Sequence, residues 1–387
     1  MRKPIYNLIL SIFVASISFV FIACGGGGGG GSSGGSRSKG GGGNTNPPPP
    51  DSYIFMIMQK ADSGASFTQP DLDGTWNYHG LVSGDAPQKP GWSYGQVVIS
   101  NGVITQVTHF YSTGGIQYSP LALNSNLTVD SEGIVYDPAD TSFHGAMNSA
   151  HDLIVINKTD TGSHLLVLQK VGASNFTPND LLGRWNNHCI ISGDTQWLGW
   201  ERGVLDFYDA NSTFAFASYS SSDPSRTINN AIAIRFDLLA DGTVLDHSGG
   251  SFQGSMSSDK NLMVGTIDDR FGGFKLCVIQ RTNYLVNFSL NDLAYKWNYH
   301  GISTGDDPYW TGWFNGQLTV DTNGIITQIS YDDSGGSTAP LALNSDIGIS
   351  SRGILTYQPN SSFHGSMSVS GADPLYIQGD LIIATMN

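Results

Sequence analysis

The sequence predicts an all-β body made of three long repeats joined into a ring, and three observations carry that prediction. The stretch DLDGTWNYHGLVSGD at 71–85 returns as DLLGRWNNHCIISGD at 180–194 and as DLAYKWNYHGISTGD at 292–306, at spacings of 109 and 112 residues. Short runs rich in β-branched residues, such as GQVVIS, GVITQVT and HLLVLQK, alternate with Gly, Asn, Asp and Ser turns, and no stretch after residue 51 keeps a helical period. The two ends of the chain also fit one another. HLLVLQK closes the first repeat and FKLCVIQR the second, whereas the third stops at DLIIATMN; a strand of the missing form, YIFMIMQK at 53–60, stands before the first repeat.

Ahead of that body the chain opens with two cations, Arg2 and Lys3, and an apolar run from Leu8 to Ala23 that ends at Cys24. Sixteen residues are short of the roughly 20 a spanning helix needs, so residues 1–23 read as an export signal. Ile22, Ala23 and Cys24 resemble the lipobox of bacterial lipoproteins, with Phe21 in place of the usual leucine. The resemblance implies that Cys24 is lipidated and becomes the first residue, holding the protein to a membrane through acyl chains. Gly25 in place of aspartate implies the outer membrane, with the body periplasmic or surface-exposed. Residues 24–51 are a Gly-rich, Pro-ended tether that cannot bury a core.

Residues 52–387 form the β body, with repeats at about 61–170, 171–281 and 282–387 and residues 53–60 completing the last. Each repeat divides into eight strands, which in the first begin near Trp76, Gln96, Val103, Leu127, Val135, Phe143, Leu153 and Leu165. Eight strands make two four-stranded blades, so three repeats predict a six-bladed β-propeller-like ring fastened by the displaced strand. The alternative is three meander barrels. FTQPDLDGTW resembles the entry to lipocalin and avidin barrels, where Gly-x-Trp opens the first strand, although the third copy has DLAYKW without the glycine. The displaced strand favours the ring, because independent barrels would each keep all eight of their own strands.

What every repeat keeps serves what every repeat needs. Trp76, His79 and Asp85 recur as Trp185, His188 and Asp194 and as Trp297, His300 and Asp306, with Ser83 becoming Thr304 in the last copy. A tryptophan can fill the space between sheets while a histidine, a hydroxyl and an aspartate satisfy each other where strands turn, so these are expected to form a structural network. The three histidines could also meet on an axis as a zinc set; against that, the second recurrent pair, His144 and His364, is replaced by Gln253 in the middle copy, and no metal or cofactor is expected. Asp71, Asp180 and Asp292, each five residues before the tryptophan, resemble the Asp-box turn of sialidases, from which the chain departs at Asp73, Leu182 and Ala294.

Net charge is −14 with no basic run in the body, which excludes phosphate-backbone recognition and hence nucleic acid as a partner. Cys189 and Cys277 fall at unmatched positions of the repeat, so no disulfide framework is indicated, though an exported chain allows one bridge. No Gly-x-Ser-x-Gly or His-Glu-x-x-His motif is present, and no catalytic residue is assigned. The middle copy carries charges its sisters lack: Glu201, Arg202, Asp206, Arg235 and Asp237. Trp92, Trp200 and Trp313 recur in all copies and read as core, whereas Trp197, Tyr309 and Trp310 precede the shared Gly-Trp without a match in the first copy and read as a ligand-binding rim. The expected function is a lipid-anchored cell-surface binding or scaffold module that recognises a glycan or a surface protein. The alternative is an extracytoplasmic glycan-active enzyme with its site in the divergent second repeat.

Overall fold

The computed structural model describes residues 52–61, 64–83, 90–112, 126–159, 162–173, 175–193, 198–209, 211–223, 226, 234–269, 273–282, 286–305, 312–336, 347–357, 363–369 and 379–386. The signal at 1–23, Cys24 and the tether at 24–51 lie outside them, as do Asp85, Asp194 and Asp306.

Among the described residues twenty-four strands follow one another. Strand β1 is Ser52–Lys60. The first repeat holds β2 (Gly74–Ser83), β3 (Gly91–Ser100), β4 (Val103–Tyr111), β5 (Thr128–Val129), β6 (Ile134–Asp137), β7 (Asp140–Met147), β8 (Leu153–Thr159) and β9 (Ser163–Lys170). The second holds β10 (Gly183–Ser192), β11 (Gly199–Phe207), β12 (Thr213–Ser221), β13 (Ile234–Leu238), β14 (Thr243–Asp246), β15 (Gln253–Met256), β16 (Leu262–Asp268) and β17 (Phe274–Arg281). The third holds β18 (Lys296–Gly305), β19 (Gly312–Val320), β20 (Ile326–Asp333), β21 (Ile347–Ile349), β22 (Ile354–Tyr357), β23 (His364–Val369) and β24 (Gly379–Met386). A short helical turn precedes the first strand of each repeat, at Gln69–Leu72, Pro178–Leu181 and Leu290–Leu293.

The body is all-β, with eight strands per repeat as expected, but the strands do not separate into four-stranded blades. Each repeat is one eight-stranded antiparallel meander in which the first strand pairs with the last: β2 with β9, β10 with β17, and β18 with β1. The middle repeat is a closed barrel, sealed where Thr213 and Phe214 meet Arg235 and Ile234. The other two are the same sheet curled around a single interior cluster, with β4 and β5, or β20 and β21, as its edges among the described residues. Barrels therefore replace the expected propeller.

The displaced strand behaves as the sequence foretold. Strand β1 lies between β18 and β24, with Ile57 opposite both His300 and Ile383. Its inference was wrong only in assuming that barrels would be independent. A fourth apolar cluster belongs to no single barrel. It takes Leu81, Leu153, Val155, Leu165 and Val167 from the first, Ile190, Leu262, Val264, Leu276 and Val278 from the second, and Phe55, Ile57, Ile302, Leu381 and Ile383 from the third. The same positions contribute from every repeat, so the three barrels pack about a pseudo-threefold axis.

This explains a difference in texture along each repeat. Strands β8, β9, β16 and β17 face the lumen on one side and the shared cluster on the other, and nearly every residue in them is buried. Strands far from the axis, such as β6 and β12, show partial exposure at alternate or successive positions. A run of continuous apolar residues such as LLVL thus marks a strand buried on both faces.

Removing residues 52–60 should leave β18 and β24 with unpaired edges and strip Phe55 and Ile57 from the shared cluster, so the truncated chain is expected to aggregate. Size-exclusion chromatography of the deletion beside the intact body checks this; a monodisperse, equally stable deletion would contradict it.

Candidate functional site

The recurrent residues of the opening motif assemble the three barrels. Trp76, Trp185 and Trp297 are fully buried in the barrel interiors, and each indole Nε1–H donates to the carbonyl four residues earlier, of Leu72, Leu181 or Leu293, at 2.8–2.9 Å. Asp71, Asp180 and Asp292 accept from the backbone and hydroxyl of Thr68, Thr177 and Ser289 as capping boxes, which fix the turn that carries those carbonyls. At the other end of the motif the hydroxyls form a cycle between barrels: Ser83 donates to Ser303 O, Thr304 to Ile191 O and Ser192 to Val82 O, at 2.8–3.0 Å. Gln59, Gln169 and Gln280 make a second cycle through Nε2, to the carbonyls of Leu153, Leu262 and Leu381.

The histidines sit one to an interface and not together on the axis, which removes the zinc set; no cluster among the described residues is arranged to hold a metal. Ser255 Oγ donates to Gln169 Oε1, so it must accept from His79 Nε2, and the same relay runs from His188 through Ser366 to Gln280. At the third interface Ala146 stands where the other barrels have serine, and there Gln59 Oε1 has no partner. The Gly-Trp tryptophans also tie barrels together: Trp92 Nε1 donates to Asp268 and Trp313 Nε1 to Thr159. All three are core residues, as expected.

The middle barrel is hollow. Its lumen holds a cavity of about 320 Å³. The wall is Leu205, Phe214, Phe216, Ile234, Phe236, Phe252, Ile267 and Ile279, with the Cys189–Cys277 disulfide joining directly opposed residues of β10 and β17. Trp185 packs edge-on against Phe207 in the same interior cluster.

Comparison of the barrels shows why this one is open. Asn187 stands where its sisters carry Tyr78 and Tyr299, which are buried across their own interiors. Tyr78 reaches Thr108 O at 3.3 Å and Tyr299 reaches Ser330 O at 3.0 Å, each lying over the glycine of the intervening strand, Gly95 or Gly316, to reach the third strand of its repeat. Cys189 and Cys277 replace Gly80 with Leu166 and Gly301 with Met56. A Cβ at Gly80 would strike Leu166, so the two positions had to change as a pair.

At the mouth, where β10 ends and β11 begins, four charges interlock. Lys275 lies 2.8 Å from both Glu201 and Asp269, and Arg226 lies 3.3 Å and 3.0 Å from the same two carboxylates. Asp268 at the rim spends one oxygen on Trp92 of the first barrel, and Asp246 turns one oxygen to Ser248. Burial, and next the neighbouring Glu201 carboxylate, push the Tyr219 hydroxyl well above its ordinary range.

Among the charges that mark out the middle copy, Glu201 lines the cavity. Arg202 stacks on Trp200 at 4.6 Å, Arg184 pairs with Asp206, and Arg235 pairs with Asp237 at partly exposed positions. Trp197, Tyr309 and Trp310 lie outside the described residues. Asp268, Asp269 and Lys275 were not singled out in sequence, and only barrel closure brings them beside Glu201.

No family model matches the chain, and no curated protein matches it. Among solved structures it is similar to a protein of unknown function of the DUF3598 family from Nostoc punctiforme, at 13% identity and a TM-score of 0.20, over 56% of this chain and 99% of that one.

Two outcomes follow from the interfaces. Ala146→Ser should supply the missing hydroxyl between His300 and Gln59 and raise stability by about 1 kcal/mol in urea titration; a loss would contradict the relay. Burial holds the imidazoles of His79 and His300 down at about 3, below the 6.5 they have when unfolded. The unfolded chain therefore takes up protons first, and the stability present above pH 6.5 is lost as pH falls toward about 3. Between pH 6.5 and 5.5 each imidazole should remove about 1 kcal/mol. A His79→Gln, His300→Gln chain should show a flatter profile, and an unchanged slope would contradict the assignment.

Proposed function

We propose that this protein is an envelope-anchored binding module, held to a membrane by lipid on Cys24 and a flexible tether, in which the middle barrel binds a small molecule in its lumen. The first and third barrels act as scaffold. The observation that carries this reading is the cavity of about 320 Å³ in the one repeat that lacks the buried interior tyrosine of its sisters. That volume lies at the lower end of the roughly 300–1,000 Å³ of small-molecule sites. Eight-stranded barrels have room for one small ligand when side chains do not fill them.

The wall favours an apolar ligand over a glycan. Sugar hydroxyls need polar partners at many points, whereas this lining is mostly phenyl and aliphatic, with its charged groups gathered at the mouth. A second reading, an enzyme acting on glycans from the divergent repeat, draws on Glu201, Asp246, Asp268 and Asp269 lining one cavity. Against it, Glu201 and Asp269 are each bound by both Lys275 and Arg226, which occupy the oxygens that a general acid would turn toward substrate.

Residues 25–387 keep every described strand and serve for the test. Titration with the neutral probe N-phenyl-1-naphthylamine should saturate at one site per chain. Asn187→Tyr, which restores the side chain its sisters carry, should weaken binding more than about tenfold while leaving the melting temperature unchanged or raised. Absent saturation, or probe binding that Asn187→Tyr does not alter, would overturn the lumen as the site.

A further inference from the structure

We infer that the ligand taken by the middle barrel is an apolar amine: an ammonium head held at the mouth by carboxylates, on an aromatic or short aliphatic body held among phenyl rings. This rests on the lumen being the binding site and adds the chemical class of what it binds.

The charge around the cavity decides the sign of the head. Four carboxylates, those of Glu201, Asp246, Asp268 and Asp269, face it against the single ammonium of Lys275. Arg226 stands behind Glu201 and Asp269, and even when it is counted the acids are in excess by two. Lys275 and Arg226 are both already committed to that pair of carboxylates, so neither is available to an incoming anion. A fatty-acid carboxylate would enter a field of its own sign and would have to break an existing ion pair to find a partner. An ammonium enters an attractive field, and the net charge of −14 draws it toward the protein from further away.

Two of the four acids are placed to receive it. Asp268 gives Oδ1 to Trp92, and Asp246 gives Oδ1 to the backbone and hydroxyl of Ser248. In each case the second oxygen accepts no hydrogen bond from a described residue, so the rim offers carboxylate oxygens without disturbing the interlocked pair deeper in.

The wall supports the same choice. Phe236 stacks on Phe252 with ring centroids 4.5 Å apart, and Phe214 lies 4.9 Å from Phe236 and 5.9 Å from Phe216. Such a cluster accepts an aromatic or aliphatic body, and the negative faces of the rings attract a cation and not an anion. The cavity of about 320 Å³ is the space of about ten water molecules, which suits a compact amine and not a long acyl chain.

The experiment is displacement of bound N-phenyl-1-naphthylamine from residues 25–387 at pH 7 by three compounds matched in their apolar body: 2-phenylethylamine, 2-phenylethanol and phenylacetate. The amine should displace the probe at a concentration at least about tenfold lower than the carboxylate, with the alcohol between them. In an Asp246→Asn, Asp268→Asn chain, where the acids become neutral isosteres, the amine's advantage over the alcohol should shrink severalfold while the probe itself still binds. If the probe binds but phenylacetate or phenylethanol displaces it as well as the amine does, the amine assignment fails and the lumen site survives. An amine preference that the double substitution leaves intact would also overturn the assignment to the rim carboxylates. If the probe does not bind the intact chain at all, the lumen reading fails and takes this inference with it.

Discussion

The structure depends on the burial of strands that are apolar on both faces. A strand in a soluble barrel ordinarily hides one face in the lumen and wets the other, yet Leu153, Val155, Leu165 and Val167 point away from the first barrel's interior and are still dry. One barrel alone would expose that stripe to water. Three barrels about one axis cover it mutually, with five residues from each. At roughly 25 cal/mol per Å² of apolar surface removed from water, this shared cluster outweighs any single polar contact at the interfaces. The hydroxyl and glutamine cycles then satisfy the backbone carbonyls that the close approach would otherwise strand in a dry interface.

The shared cluster bears on function because it leaves the middle lumen free to change. The second barrel is held on its outer face by ten residues of its neighbours' strands and is stapled inside by Cys189–Cys277, so it tolerates the loss of the tyrosine that packs inside the other two. Asn187 opens the space, Glu201 replaces Ser93 and Phe314, and Lys275 replaces His164 and Ile54 at the mouth. The polar changes also come as a set, since Glu201 buried without Lys275 and Arg226 would be an unpaired charge in a dry place.

Much of this was legible in the sequence. The repeat length, eight strands per repeat and the fit of YIFMIMQK to the third repeat all followed from pattern, and β1 pairs with β24 as that pattern required. The choice between propeller and barrels was not legible from strand count, because eight short strands serve either. It turns on whether the first strand of a repeat bonds to the last, a contact between Trp76 and Lys170 that no local signal records. The unbroken apolar run LLVL in HLLVLQK was the available clue, since a strand exposed on one side would alternate. For the site, the asparagine in WNNH against the tyrosine in WNYH was visible by aligning the chain on itself, and Glu201 stood out among the middle copy's charges. Asp268, Asp269 and Lys275 were not recognisable, because they lie at the ends of β16 and β17 and meet Glu201 only once the barrel closes.

The claim on which the rest stands is that the three barrels share one core and fold as one unit. Differential scanning calorimetry of residues 25–387 tests it directly. One cooperative transition, with a calorimetric enthalpy equal to the van't Hoff enthalpy, is the result a common core requires. Separate transitions, each carrying about a third of the enthalpy, would mean three independent barrels merely lying side by side, and would contradict it.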